Sequence, residues 1–232
     1  MIPLLLYVPP MLGVGQLDMK QVAAVSMVQV LAASISGIIV HNKNKFVSRS
    51  ILVYMGLFNA LGNLAGSIYS KYTKSAMLLA VFATLAVIAS VVMFVPKREQ
   101  GEDVPANKVE YNKPLASVLS LAIGCFGGMV GAPGAFIYIP VMIYILNIPT
   151  RIVIGSTLGI VAFGAVMGTI GKAYTGQIMW PVAMTLVVGT IPGAQVGGRF
   201  SKRVNTKNLR YAIAVIIAVT GIRMWYQVLN GR

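Results

Sequence analysis

Long apolar runs separated by short polar stretches account for most of this chain. Helices of about 20 apolar residues are long enough to cross a bilayer, and most of the runs reach that length. The pattern therefore predicts an all-α, polytopic membrane helix bundle in which three helices are short. The predicted apolar segments are 1–15, 21–40, 50–70, 75–95, 114–130, 134–147, 152–171, 178–198 and 208–228.

The second half of the chain repeats the first. The pair Ile2-Pro3 recurs as Ile139-Pro140, and one fixed offset then relates 26–71 to 157–202 without a gap. That offset pairs Ser26 with Thr157, Gly37 with Gly168, Gly62 with Gly193 and Gly66 with Gly197. Two related apolar halves are typical of secondary transporters, whose substrate site lies between them. We predict a first repeat at 1–96, a polar linker at 97–113 and a second repeat at 114–232.

The basic residues indicate a topology. If every segment changes side in turn, the loops 41–49, 97–113 and 199–207 share one face and carry most of the Lys and Arg. The positive-inside rule places that face in the cytoplasm, while Lys172 falls in a predicted loop on the other side. Matching loops of the two halves then lie on opposite faces, which predicts an inverted repeat. A re-entrant hairpin and two separate crossings both remain open for 114–147.

Composition supports a membrane protein and narrows its partners. The chain is 57% hydrophobic and 10% charged, whereas soluble domains carry about 25% charged residues. The net charge of +14 comes from basic residues beside apolar spans, where anionic headgroups favour them. We therefore expect the lipid bilayer and a small anionic substrate as partners, and no nucleic acid. A homo-oligomer is compatible with the sequence.

The sequence argues against an enzyme and against a metal or other cofactor. Cys125 and His41 are the only cysteine and the only histidine, too few for a His/Cys metal site. The sequence has no H-E-x-x-H, no G-x-S-x-G and no P-loop motif. All five acids lie in predicted loops, so acid–base and nucleophile constellations are hard to assemble. The acids are Asp18, Glu99, Glu102, Asp103 and Glu110.

A glycine cluster in the second half is the first candidate site. Glycine adopts positive φ and proline breaks a helix, so we expect a break followed by a helix that begins near Gly134. Irregular backbone at membrane depth must be buried or line a cavity, and its N–H groups can bind an anion. Close helix packing is the alternative explanation. The predicted substrate-binding residues here are Gly127, Gly128, Gly131, Pro133 and Gly134.

Uncharged polar residues inside the spans are the second candidate group. Ser26, Ser156 and Thr157 are the ones we predict at the substrate, because Ser26 and Thr157 are repeat equivalents that could meet at a pseudo-twofold axis. Hydrogen bonds that only hold the bundle together are the alternative explanation. The other polar residues inside spans are Gln29, Ser34, Ser36, Asn59, Asn63, Ser67, Thr190 and Gln195. For Gly62, Gly66, Gly193, Gly197 and Gly198 we predict close helix packing.

The segment from the glycine cluster onward resembles the TauE/SafE sulfite exporter family. The resemblance rests on Gly127 to Gly134, Ile139-Pro140, Pro149 and the stretch 155–158, with a second patch at 193–204 that is echoed at 62–73. It implies export of sulfite, an organosulfonate or a related anion. For the mechanism, the two repeats predict alternating access around a site between them.

The first half departs from the family pattern, because no Gly-rich segment precedes 1–15. We expect such a segment upstream of Met1, equivalent to 114–130. If it is truly absent, the alternative is a non-transporting membrane partner or assembly subunit that reuses the transporter fold.

Overall fold

The structure is a computed structural model that describes residues 2–11, 13, 15–41, 48–94, 109, 111–201, 215 and 217–226. In those residues every regular element is a helix, which confirms the predicted all-α class. Most of the predicted linker, 97–108 and 110, lies outside the described residues. The helices are α1 (Ile2–Met11), α2 (Met19–His41), α3 (Arg49–Tyr69), α4 (Ser75–Phe94), α5 (Lys113–Val130), α6 (Ala135–Pro140), α7 (Thr150–Tyr174) and α8 (Trp180–Ser201). A further helical stretch covers 217–226.

Five of these helices are long and apolar enough to cross a membrane. They coincide with predicted segments to within a few residues, which confirms a multi-pass helical bundle. The helix α8 matches the predicted segment 178–198 in position but is not among the five. The candidate spans are Met19–Ile38, Arg49–Tyr69, Ser75–Val92, Lys113–Val130 and Gly155–Tyr174.

The helix α3 lies at the centre of the described bundle, packed along α5 and α7. All three run in the same direction. Ser48, before α3, contacts Ser156 near the start of α7, while Ser70, after α3, contacts Lys172 near the end of α7. We call these two levels the Ser156 end and the Lys172 end. Alternation of the spans across the membrane predicts this parallel arrangement of α3, α5 and α7.

Small residues let α5 and α3 approach closely. A Cβ added at Gly62 or Gly66 would overlap the backbone of α5 around Cys125, so the packing role predicted for these two glycines is confirmed. A Cβ added at Gly193 or Gly197 meets no atom within 4 Å in the part of the chain that the structure describes. The packing role predicted for that second pair therefore has no support in the described contacts.

The helix α2 runs antiparallel to α7. Gly37 of α2 lies against the Leu158 side chain, and Met27 lies against Gly168. The repeat offset pairs Gly37 with Gly168 and Met27 with Leu158, so each contact is the image of the other. Equivalent helices that run in opposite directions are what an inverted repeat requires. The inverted repeat stays a prediction, and this exchanged pair of contacts supports it.

A broken segment connects α5 to α7. The helix α6 has six residues and passes at Pro140 into a five-residue π-helical turn, Val141–Ile145, together about 15 Å long. Phe136 packs with Met129 in an apolar cluster at the Lys172 end, whereas Met142 and Ile148 belong to a cluster at the Ser156 end. The segment therefore runs from one end of the bundle to the other, which favours two crossings over a shallow hairpin.

Candidate functional site

The glycine cluster forms the break between α5 and α6. Gly131 caps α5 at φ 78° and Gly134 precedes α6 at φ 85°, a backbone region that L side chains rarely adopt. Pro133 stands between them and is buried. The predicted break, and the predicted start of the next helix near Gly134, are confirmed.

The turn uses its own N–H groups. Gly131 and Ala132 both donate to the Gly127 carbonyl, Ala132 at 2.9 Å, and Gly134 donates to the Ala132 carbonyl at 2.5 Å. Pro133 has no N–H to offer. An anion would have to displace these internal bonds, so the binding role of this segment stays a prediction.

Close packing explains two of the glycines directly. A Cβ added at Gly128 would overlap the backbone of Asn63 in α3, and one at Gly131 would overlap the backbone of Ala23 in α2. Gly127 faces the Ala132 carbonyl, 2.6 Å from the position of an added Cβ. The cluster thus holds the break of α5 against two neighbouring helices.

The structure does not bring the predicted serines and threonine to one place. Ser26 is next to Met27, and Met27 contacts Gly168, which lies one turn before Lys172. Thr157 is next to Leu158, and Leu158 contacts Gly37 at the other end of the helix pair. Because α2 and α7 are antiparallel, Ser26 and Thr157 stand about 18 Å apart along the helix pair. The expectation that these repeat equivalents meet at the axis is wrong. Ser26 belongs to the Lys172 end, together with Gly131, while Ser156 and Thr157 belong to the Ser156 end.

The hydroxyls at the Ser156 end have partners. Ser156 Oγ accepts the Ser48 N–H at 3.3 Å, and Thr157 Oγ1 donates to the Val153 carbonyl at 2.7 Å. Both residues are buried, Ser156 completely. Ser156 joins the start of α7 to the residue that precedes α3, while the Thr157 hydroxyl bonds within α7.

Five of the seven buried polar atoms without partners in the described residues lie on α2, α7 and α8, and the other two are Asn63 Oδ1 of α3 and Ser120 Oγ of α5. Ser26 Oγ, Gln29 Oε1 and Ser36 Oγ make no hydrogen bond within the part of the chain that the structure describes, and neither do Thr169 Oγ1 of α7 and Thr190 Oγ1 of α8. Spacings of three and ten residues keep the three α2 positions on one side of that helix. Both α7 and α8 pack on α2. We call these five side chains the polar row.

The polar residues on α3 form hydrogen bonds, although Asn63 Oδ1 accepts none within the described residues. Asn59, Asn63 and Ser67 are fully buried, as expected for one helical face with spacing i, i+4, i+8. Asn59 Nδ2 donates to the Ile160 carbonyl of α7 at 2.9 Å, and Asn63 Nδ2 donates to Asn59 Oδ1 at 2.8 Å. A Cβ added at Gly164 would overlap the Asn59 amide. This face joins α3 to α7, which is the structural role considered from the sequence.

Lys172 is a buried cation that the sequence did not reveal. It lies inside α7, not in the predicted loop 172–177, and its exposed fraction is 0%. Its ammonium donates to Ser70 Oγ at 2.5 Å, to Gln177 Oε1 at 3.2 Å and to the Met129 carbonyl at 3.4 Å. These three acceptors come from the end of α3, the last turn of α5 and the loop after α7. The ammonium therefore ties three chain segments to the edge of the glycine break.

The charge of Lys172 has no acidic partner among the described residues. The only acid described is Asp18, which is exposed and whose oxygens accept from Ser75 Oγ and the Met19 N–H. A second lysine at this end, Lys20, donates to the Lys71 carbonyl at 2.9 Å. Buried charges are normally paired, because an unpaired one costs several kcal/mol. The Lys172 end is thus a buried positive region.

No sequence signal distinguishes Lys172 from an ordinary surface lysine. A lysine in the last turn of a helix normally complements the helix dipole and reaches water. Its burial depends on α3 and α5 covering it, and Gln177 is held beside it by donating to Thr175 Oγ1 and the Ser67 carbonyl. These contacts span more than 100 positions along the chain in two cases, beyond the reach of local pattern.

A groove on the outside of α3 and α5 is separate from all of these groups. Its cavity volume is about 450 Å³ and its walls are mostly apolar. The ammonium of Lys113 lies over the Tyr54 ring, 5.3 Å from its centroid, at the Ser156 end. None of the predicted substrate-binding residues lines it. The lining residues are Tyr54, Phe58, Lys113, Pro114, Ser117, Val118 and Leu121.

Known membrane proteins resemble the chain over most of its length. It is 27% identical over 232 residues to a probable membrane transporter protein of Xylella fastidiosa (strain 9a5c), covering 96% of this chain and 85% of that protein. It is 26% identical over 195 residues to the probable membrane transporter protein YdhB of Bacillus subtilis (strain 168), covering 83% and 79%. A third match, to YunE of the same strain, is 20% identical and covers 50% of this chain and 43% of YunE.

No solved structure matches this chain. The family described as "Sulfite exporter TauE/SafE" matches residues 1–224, which confirms the resemblance found in the sequence. This family consists of membrane transporters and not of enzymes. With its multi-pass helical bundle, its broken helix at the glycine cluster and this match along nearly its whole length, the chain belongs to the TauE/SafE sulfite exporter family of membrane transporters.

Proposed function

We propose that this protein exports a small anion, such as sulfite or an organosulfonate, by alternating access between two inverted repeats. The membrane transport role follows from family membership, and the substrate and mechanism are the proposal. Export of a monoanion from a negative interior is downhill by about 2.3 kcal/mol per 100 mV, so no carboxylate proton relay is needed.

The observation that carries the proposal is the polar row on α2 and its neighbours. A buried polar atom without a hydrogen bond costs about 1–3 kcal/mol, so five of them near one helix call for a function. Four of the five are hydroxyls, which can donate to an oxyanion, whereas Gln29 Oε1 only accepts. The row itself adds no fixed charge, which the membrane disfavours. The row lies between helices from both repeats, where alternating access places a substrate path.

The charges in the spans point to an anion and not to a cation. None of the five candidate spans contains Asp or Glu. Carboxylates are the usual ligands for cations and the usual carriers in proton relays. A path that is lined by hydroxyls and glycine backbone and ends at a lysine favours an anion over a cation.

The predicted substrate-binding residues divide between the two ends of this path. Gly131 and Ser26 lie at the Lys172 end, and Ser156 and Thr157 lie at the Ser156 end. In the proposed mechanism the substrate passes from one group to the other as the repeats rock. By the positive-inside rule the Ser156 end, next to the basic linker, is cytoplasmic.

The test is sulfite efflux from proteoliposomes under an imposed membrane potential. We expect efflux that accelerates when the exterior is positive, and that is absent from protein-free liposomes. Taurine and sulfate in parallel experiments would define the anion class. Wild-type protein that is folded but carries none of these anions would overturn the proposal and favour the non-transporting alternative.

A further inference from the structure

We propose that the Lys172 ammonium is the anion-binding group of the transporter, at the end of the polar row beside the glycine break. The ligand class is a small oxyanion that bears a single negative charge or a sulfonate group. This inference rests on the proposed function and adds the location and chemistry of the principal site.

The first step is the unbalanced charge. Lys172 is completely buried, and its three acceptors are a hydroxyl, an amide oxygen and a backbone carbonyl, all of them neutral. Within the described residues no carboxylate neutralises it. A buried cation of this kind is stabilised when an anion arrives.

The second step is the quality of the existing bonds. Only the bond to Ser70 Oγ is short, at 2.5 Å, while those to Gln177 and to the Met129 carbonyl measure 3.2 and 3.4 Å. Charge-assisted bonds between an ammonium and an oxyanion are shorter, about 2.7–2.9 Å, and roughly twice as strong as neutral ones. An oxyanion can therefore replace the two long bonds with a net gain.

The third step is the surroundings. Met129 is two residues before Gly131, so the carbonyl that holds the ammonium belongs to the last turn before the break. Gly168 lies one turn before Lys172 and contacts Met27, next to the unpartnered Ser26 hydroxyl. The cation, the break and one end of the polar row therefore share one level of the bundle.

Anion binding at this point would couple to movement. The ammonium ties together α3, α5 and the loop after α7. An anion that takes two of its three bonds frees the last turn of α5 and the Gln177 loop while it keeps Ser70. The substrate thereby loosens the Lys172 end, as alternating access requires of a ligand that favours one state.

The decisive variant is Gln177→Glu, which keeps the shape of Gln177 and places a fixed carboxylate beside the ammonium. It removes the two hydrogen bonds that Nε2 donates, to the Ser67 carbonyl and to Thr175 Oγ1, and it gains an ion pair with Lys172. If Lys172 binds the substrate, the internal carboxylate competes with it, and we expect the KM for sulfite to rise about tenfold or more while the melting temperature in detergent stays the same or increases. If Lys172 is only structural, both KM and flux stay at wild-type values.

Three further variants complete the experiment. Lys172→Arg keeps the charge and should retain measurable sulfite flux, whereas Lys172→Met should lose it. Lys71→Gln removes an exposed lysine at the same end and should leave KM unchanged. If Lys172→Met does not fold, Gln177→Glu alone still decides the question.

Binding is measured separately from transport, as the shift in melting temperature caused by sulfite in the purified protein. We expect a shift in the wild type that is absent in Gln177→Glu, with sodium chloride at the same ionic strength as the control. Wild-type flux with an unchanged KM in Gln177→Glu would overturn the Lys172 site and leave the exporter function intact. No wild-type flux, with a shift that Gln177→Glu abolishes, would overturn export and retain the site. Neither flux nor shift in the wild type would overturn both.

Discussion

Gly37 of α2 and Leu158 of α7 pack against each other in the same way as their repeat equivalents, Gly168 and Met27. A Cβ added at Gly37 would stand 3.1 Å from Leu158 Cδ2, and one added at Gly168 would stand 2.6 Å from Met27 Cε. Ala32 lies midway between Met27 and Gly37, and Phe163 lies midway between Leu158 and Gly168. The twofold axis that exchanges the two contacts therefore passes at the level of Ala32 and Phe163. An axis between antiparallel α2 and α7 is the arrangement that the predicted inverted repeat requires.

This relationship predicts a pattern of cross-linking. In a Cys125→Ser background, the double variants Gly37→Cys with Leu158→Cys, and Met27→Cys with Gly168→Cys, should both form cross-links under mild oxidation, detected by mass spectrometry. The matched control is Met27→Cys with Leu158→Cys, in which the same two helices carry cysteines about 15 Å apart. Cross-linking of only one of the two test pairs would contradict the symmetric arrangement.

Substitution of a glycine in the break is expected to destabilise the protein in two ways, through backbone strain and through steric overlap. Gly131→Ala must adopt a positive φ and also overlap the backbone of Ala23, whereas Gly176→Ala adopts a similar φ of 69° with nothing within 4 Å in the described residues. We expect Gly176→Ala to destabilise the protein by about 1 kcal/mol and Gly131→Ala by at least about 2 kcal/mol more. Unfolding monitored by titration with a denaturing detergent measures both.

Equal destabilisation by the two alanine variants would mean that α2 yields easily to α5. The close contact at Gly131 would then have no role in stability. In that case the sequence-based interpretation of this glycine as a ligand-binding position would gain weight over close packing.

The sequence predicted the break, the helix bounds and the buried face of α3, because each of these depends on local chemistry. Glycine and proline determine the turn at 131–134, and a spacing of four residues determines which α3 side chains share a face. The sequence did not predict that Ser26 and Thr157 are far apart. Equivalent residues of an inverted repeat meet only at the level of the axis, and both lie six residues from it. The position of the axis along the two helices depends on how α2 packs on α7, and the sequence repeat alone does not specify that packing.

Asn59 of α3 should contribute to stability through its hydrogen bond to α7. Its amide donates to the Ile160 carbonyl of α7, whereas Ser67 Oγ donates only to the Leu64 carbonyl of its own helix. We expect Asn59→Ala to lower the free energy of unfolding by about 1 kcal/mol and Ser67→Ala to have a much smaller effect. Thermal unfolding of the two purified variants compares them directly, and an effect of Ser67→Ala as large as that of Asn59→Ala would contradict this role.

Tyr111, which precedes α5 and lies outside the candidate spans, gives a pH dependence. Burial raises the pKa of its phenol above the ordinary value of 10.0, and the hydrogen bond with Ser50 offsets part of that rise. The folded protein therefore holds this proton more tightly than the unfolded chain does, so stability falls as the pH increases above about 10. Tyr111→Phe should lessen that fall in melting temperature, with no difference from wild type at pH 7 beyond loss of the Ser50 bond. An identical alkaline fall in both proteins would contradict the prediction.

For the serines of the polar row we predict that substitution by alanine raises stability and lowers transport. Ser26 and Ser36 are buried and their hydroxyls have no partner in the described part of the chain, so Ser26→Ala and Ser36→Ala remove an unmet hydrogen-bonding group and should raise the melting temperature while they lower sulfite flux. Ser34 is a matched control on the same helix, since it is equally buried but donates to the Leu31 carbonyl at 3.0 Å. Ser34→Ala should leave flux unchanged and gain no stability. If all three variants behave alike, the missing partners carry no functional meaning, and the substrate path must lie elsewhere in the bundle.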